Sequence, residues 1–304
     1  MASTLTMARA VSLTDYKPEV RKKADKRTWE HESIGFVGTT KRGQEKYPLY
    51  YGLPLPVPSG ELKPVPYYDM GELGESTLTI GKFLLGTRFS NELIEDAWHL
   101  PQLMSDAGKA IGESFGQMYD KLRVYPFDQA FATTYQTMWD SAAMCAAHTL
   151  KDGTSYNNAL TTSPPDYDTL WAALSAFTWT RKNHIGLIAT GKPVAIVCHP
   201  TYVQYWEKIL NNSVEPDTLE RNDQFIGKLY GDLKLVVCPW LTTTTNWFII
   251  GEEFKEDNIW LWRKKMVVDE PYQDKDFRAV KIAAEMRGGQ VVKDYLGVLG
   301  NVGA

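Results

Sequence analysis

The chain has 304 residues, 43% of them hydrophobic and 23% charged, which is enough apolar material for one large or two small buried cores. Its net charge of -4 argues against a tight sequence-specific nucleic-acid binder, because neutralising phosphates supplies most of such affinity and calls for a basic excess. Three scattered cysteines, Cys145, Cys198 and Cys238, imply no disulfide framework and suit a reducing compartment, and with no signal peptide and no run of about 18 apolar residues, no membrane partner is expected.

Residues Met1 to about Ser33 lack hydrophobic periodicity. Within them, Lys17 to Arg27 carries six cations against Glu19 and Asp25. This stretch reads either as a solvated arm or as an arm that orders on a neighbouring subunit. From Tyr47 to Thr87 prolines accumulate at Pro48, Pro54, Pro56, Pro58, Pro64 and Pro66, which exclude helix and central strand. Thr77-Leu78-Thr79-Ile80 alternates as a half-exposed strand does, and Pro58 to Glu61 reads as a turn. Together they predict a long two-stranded hairpin. It has too few large apolar residues for its own core, so it must lean on something else.

The clearest helix follows. Leu93, Ala97, Leu100, Met104, Ala107, Ile111, Phe115, Met118 and Leu122 form one apolar stripe of helical period. Ser90 is the expected N-cap, Glu92, Glu95 and Asp96 make the start acidic, Lys121 and Arg123 lie at the far end, and Pro126 is expected to stop the helix. Pro101 either kinks it or opens a helix from Pro101 to Lys121, about 30 Å long.

Beyond Phe127 the pattern is mixed. Helices are expected over Trp139–Leu150, Asp168–Trp179 and Thr201–Leu210, the last with Tyr202, Tyr205, Trp206 and Ile209 on one side. Strands are expected over Val194–Cys198, Leu233–Cys238 and Trp247–Ile250, and a long strand with a bulge over Phe277–Met286.

No chemistry-bearing constellation emerges. Thr190-Gly191-Lys192-Pro193 has proline where a phosphate loop needs a hydroxyl, and precedes a strand where a helix is required. Ala279-Val280-Lys281-Ile282 faintly echoes a kinase strand but has no catalytic loop after it. Cys198-His199 and Cys238-Pro239 end hydrophobic strands without the local pairing of a zinc site, so the cysteines read as small hydrophobes. His148 and His184 read as loop or surface histidines. No catalytic residue, cofactor or metal is expected.

The order of elements resembles the HK-97-type major capsid protein of tailed phages. Thr87 to Asp96 is similar to that family's junction between extended loop and spine helix. Leu150-Lys151-Asp152-Gly153, Ala159-Leu160-Thr161, Asp168-Thr169-Leu170, Pro193 to Leu210, Leu235 to Leu241 with Trp247 to Ile250, and Trp262 to Lys265 with Phe277 to Leu296 resemble its Mu-like branch.

The resemblance implies an α+β chain with an N-terminal arm (1–33), an extended β-hairpin loop or E-loop (34–89), a spine helix with the first part of a peripheral domain (90–138), an axial domain (139–255) and a return to the peripheral domain (256–304). It implies a head protein that assembles with copies of itself as pentamers and hexamers of an icosahedral shell. A separate scaffolding protein, a portal and a decoration protein are implied partners, and packaged double-stranded DNA a non-specific neighbour, with assembly in the host cytoplasm. No covalent crosslink is expected through Lys63 or Lys82. Arg88, Glu92, Arg263 and Lys63 are the interface candidates, as charged residues near expected loop-to-neighbour contacts. The alternatives are an encapsulin-type nanocompartment shell protein of the same fold and an α/β enzyme.

Overall fold

The computed structural model describes residues 31–303 except 60, 62, 97–99, 162–166, 212–229, 231–232, 275 and 277. The basic stretch Lys17–Arg27 and the expected strand start at Phe277 lie outside the described residues. In chain order, β1 (Phe36–Thr39), β2 (Gln44–Tyr50), β3 (Glu72–Thr79) and β4 (Gly81–Ser90) precede α1 (Asn91–Asp96) and the long α2 (Leu100–Asp128). Then come β5 (Ala147–Thr149), β6 (Ser155–Asn157), β7 (Ala159–Leu160), α3 (Tyr167–Ser175), β8 (Pro193–Cys198), α4 (Val203–Asn211), β9 (Lys234–Val237) and β10 (Trp247–Gly251). The chain closes with the short α5 (Phe254–Asp257), β11 (Asn258–Val268), β12 (Tyr272–Asp274), β13 (Ala279–Val292) and β14 (Val298–Asn301).

The hairpin is present: β2 and β3 pair antiparallel from Gln44 opposite Thr79 to Tyr50 opposite Glu72. Its second strand runs through Ile80 directly into β4, which pairs antiparallel with β13 over its whole length. Ser90 caps the turn into α1, its hydroxyl accepting the Leu93 N–H at 3.2 Å.

Two five-stranded sheets make the body. In the first, β1, β11 and β13 lie in that order, with β12 and β4 also on β13. One face packs on α2: Phe89, Ile282, Ala284 and Met286 meet Met104, Ile111 and Phe115 of the apolar stripe. The opposite face receives the hairpin root, where Leu78 packs on Ile259, Leu261 and Val291. The second sheet has the order β7-β14-β10-β8-β9. Every residue of its central strand β10 is buried, as expected of a strand covered on both faces. Ile196, Trp247 and Ile249 meet Leu170, Leu174 and Trp206 on one side, while Val197, Phe248 and Ile250 meet Phe127 and Phe254 on the other. The C-terminal segment is shared: β13 belongs to the first sheet and β14 to the second, so 256–304 does not stay with one layer.

Five expectations need correction. Pro126 does not stop α2, which runs on to Asp128. Burial of Phe127 against Phe248 and Phe254 holds the last turn in spite of the missing N–H. Arg123, expected at the far end of the helix, lies inside α2, which runs on to Asp128, and is buried there. Trp139–Leu150 is not a helix. Ser141 takes a positive φ of 64°, and the Asp140 carboxylate draws in the backbone N–H groups of Ala142 and Thr149, competing with helical bonds. The bulges fall on β11, between Trp262 and Lys264 and between Lys264 and Val267, rather than on β13. Tyr205 does not share the buried side of α4, being exposed while Trp206 is fully buried.

Candidate functional site

Among the described residues, a run of uncovered apolar side chains lies between the hairpin strands. Residues 51–59 and 63–71 form no regular structure, and Leu53, Leu55, Val57, Val65, Tyr67, Tyr68 and Met70 are all more than half exposed. Prolines at alternate positions keep this segment extended and remove backbone donors, so it cannot close a ladder on itself. A contiguous apolar surface of this kind marks a contact site in a soluble chain. At the root the environment reverses, Leu78 being fully buried. Gly289 makes the close approach possible, since a Cβ there would collide with the Thr79 carbonyl.

The first sheet offers a second uncovered surface. Among the described residues, β13 is the only strand paired with β4, whose outer edge carries Leu84 at 62% and Leu85 at 41% exposure. Residues directly opposite across β4 and β13 share a face: Lys82 with Arg287, Leu84 with Glu285, Arg88 with Lys281. Glu285 is ringed by cations. It bonds to Lys264, lies 3.4 Å from Lys82 and 3.8 Å from Arg287, and hydrogen bonding from Lys264 holds its carboxyl below the usual range. Lys281 pairs with Asp274 on the same sheet.

The four charged residues singled out in the sequence fall at three places. Arg88 is exposed near the end of β4, and Glu92 is exposed in the first turn of α1 just beyond it. Arg263 is exposed at the β11 bulge, with its guanidinium beside Gly43 at the start of the hairpin. Lys63 is exposed in the irregular segment between the hairpin strands. Leu84, Leu85 and the apolar hairpin residues are the surface features that charge alone did not point to. For the hairpin residues the signal was prolines spaced among large apolar residues.

The residues weighed for chemistry are structural. Cys198 and Cys238 are buried in different core clusters on opposite sides of the second sheet, and burial pushes both thiols up to about 12. Burial raises Cys145 as well. His199 caps the turn before α4, accepting the Thr201 N–H at 3.2 Å. Gly191 packs against Phe177 and Arg181 ahead of β8. Of the two histidines expected in loops or at the surface, His184 lies in a turn and His148 in β5. Both are buried, each within hydrogen-bond distance of a carboxylate: Asp140 at 2.9 Å and Asp294 at 2.8 Å.

Comparison with known proteins agrees with this architecture. A family model described as phage capsid protein matches residues 74–301. No curated protein matches the sequence. Among solved structures, one titled Microbacterium phage Oxtober96 is similar with a TM-score of 0.54 at 9% identity, covering 92% of each chain. The crystal structure of a virus-like particle from Pyrococcus furiosus is similar with a TM-score of 0.54 at 8% identity, covering 95% of this chain and 99% of that one. The capsid structure of the cyanophage P-SCSP1u gives a TM-score of 0.52 at 11% identity over 92% of this chain and 89% of that one.

Proposed function

The chain belongs to the phage capsid protein family, and from that premise we propose that its copies assemble as pentamers and hexamers into an icosahedral shell around double-stranded DNA. As a member of that family it is a structural protein of the virion capsid, with the HK-97-type fold. The observation that carries the assembly reading is the apolar hairpin segment. Its large side chains stand uncovered in a single chain, while its root is anchored by fully buried Leu78. A neighbouring copy that covers this segment gains apolar burial at each of many repeated contacts, and a closed shell multiplies that gain.

In this reading 1–33 is the arm, 34–89 the E-loop, 90–138 the spine helix with the start of the peripheral domain, 139–255 the axial domain and 256–304 the return. Strand β14 adds a final piece to the axial sheet. Arg88, Glu92, Arg263 and Lys63 contribute to contacts between copies. A separate scaffolding protein, a portal and a decoration protein are the further partners, DNA is contacted without sequence preference, and the chain carries no catalytic activity. Electron microscopy of the chain expressed alone and with its neighbouring genes tests this. Closed shells, or sheets of five- and six-membered rings, are the expected result. A clean monomer or dimer in both preparations would refute it.

A further inference from the structure

The chain passes between the two sheets twice at its C-terminal end, from β10 through α5 into β11 and from β13 through residues 293–297 into β14. The crossings are tied together. The Lys293 N–H donates to the Asp257 carbonyl at 2.9 Å, and the Lys293 ammonium lies 3.1 Å from Asp257 Oδ1. The next residue, Asp294, accepts the Tyr295 N–H at 2.7 Å and lies 2.8 Å from His184 Nε2. Fully buried Tyr295 sits between two imidazoles. His148 stacks on its ring at 3.5 Å with planes 3° apart, and His184 meets it edge-on at 5.4 Å. His148 Nδ1 is 2.9 Å from Asp140 Oδ2.

This cluster reaches the hairpin directly. Trp139 packs edge-on to His184 at 5.7 Å, and a Cβ on Gly74 of β3 would lie 3.4 Å from the Trp139 Cβ. Lys151, whose N–H donates to the His184 carbonyl at 2.9 Å, holds its ammonium 5.9 Å from the Tyr51 ring and 6.0 Å from the Trp139 ring. Ser76 donates from its hydroxyl to the Lys293 carbonyl at 3.3 Å. Tyr51, Gly74 and Ser76 of the hairpin region therefore rest on residues that adjoin both His–Asp pairs.

We infer that the two His–Asp pairs around Tyr295 form a proton-operated latch that seats the hairpin against the junction of the two sheets and releases it on acidification. His148 is the sensitive member. Neutral, it donates from Nδ1 to Asp140 while its ring lies fully buried against Tyr295. Protonation would place a cation in the core. Burial holds this imidazole below its ordinary range, against the pull of Asp140 and of hydrogen bonding with the Met144 backbone and the Asn158 side chain. With the latch open and His148 in water, it titrates near its ordinary value of about 6.5. The closed arrangement then loses weight as pH falls below that value.

The other charged groups around the cluster are Asp140 and Lys151 from the segment 139–151, Lys293 and Asp294 from one crossing, and Asp257 from the other. Glu253 at the start of α5 is paired with Arg181. Asp257 acts in the opposite sense. Burial, with Asp294 nearby, pushes it up to about 6, so its proton uptake favours the closed arrangement and offsets part of the response.

Hydrogen exchange followed by mass spectrometry on the full chain from pH 8 to pH 5, corrected for intrinsic exchange, tests the latch. Opening of 72–79 and 139–151 relative to α2 should rise below pH about 6.5, by up to about tenfold per pH unit for one proton. His148→Gln, which keeps a donor for Asp140 and cannot titrate, should flatten the response. Asp257→Asn, which removes the offset, should steepen it and supplies the test if the His148 variant does not fold. A wild-type hairpin indifferent to pH, an undiminished response in His148→Gln, or a flattened response in Asp257→Asn would each overturn the inference.

Discussion

Leu78→Ala isolates what holds the hairpin. Leu78 is fully buried, and its apolar partners Ile259, Leu261 and Val291 all belong to the first sheet. Truncating a core leucine to alanine costs about 3 kcal/mol when the surroundings relax only partly. Here the lost contacts join hairpin to sheet and not one sheet strand to another, so the cost falls on seating rather than on global stability. At about 1.4 kcal/mol per decade, that is a rise of about two orders of magnitude in hairpin opening. A two-stranded ribbon released from its support is marginal in water, so the released state frays and exchanges its amides. Hydrogen exchange over 72–79 should accelerate by about that factor, while α2 and β10 stay protected and the thermal midpoint moves little. Equal acceleration in all elements would show that Leu78 belongs to the global core. Unchanged exchange would show that the seat lies elsewhere, and either result refutes the reasoning.

Further outcomes follow from the same geometry. Gly289→Ala should also unseat the hairpin, because the new Cβ would meet the Thr79 carbonyl, at a cost of about 1–3 kcal/mol visible as faster exchange in β3. Phe127→Ala should cost about 3–5 kcal/mol of global stability in urea unfolding, since its ring packs between Phe248 and Phe254 where the long helix enters the second core. With burial raising all three thiols, a thiol reagent at pH 8 should label none of Cys145, Cys198 and Cys238 promptly in the folded chain and all three after denaturation; prompt labelling of one would contradict its burial. Arg88→Glu should lower the yield of assembled particles without shifting the thermal midpoint of the chain, because the side chain is exposed; unchanged yield removes Arg88 from the contact surface.

Local pattern made much of the fold legible. The helical stripe through Met104, Ile111 and Phe115 and the apolar runs of β8 and β10 are signals carried within one element, and each became that element in the structure. The failures have different causes. Trp139–Leu150 has apolar residues at helical spacing, but the Asp140 carboxylate binds Ala142, His148 and Thr149 within the segment and competes with helical bonds there. Pro126 is a strong local stop overruled by the packing of Phe127. The bulge belongs to whichever strand of a pair holds the extra residue, and that depends on the register of β11 against β13. The surroundings of His184 were illegible because its partner Asp294 is 110 residues away, and nothing in either neighbourhood announces the other.

The hairpin separates what one chain can specify from what it leaves to a partner. Toward the root, Leu78 is buried, Ser76 bonds to the junction, and each position has a counterpart within the chain. Beyond Tyr51 the prolines recur at Pro54, Pro56, Pro58, Pro64 and Pro66, and backbone donors at those positions disappear. An edge lacking those N–H groups cannot extend a regular ladder to another strand. A neighbour covering this segment therefore meets it through Leu55, Val65, Tyr67 and their companions, by side-chain burial. Such contacts are weakly directional and tolerate sliding. The cation ring around Glu285 beside exposed Leu84 places charged and apolar groups side by side on one sheet face, the combination that such a segment would need for a directional contact.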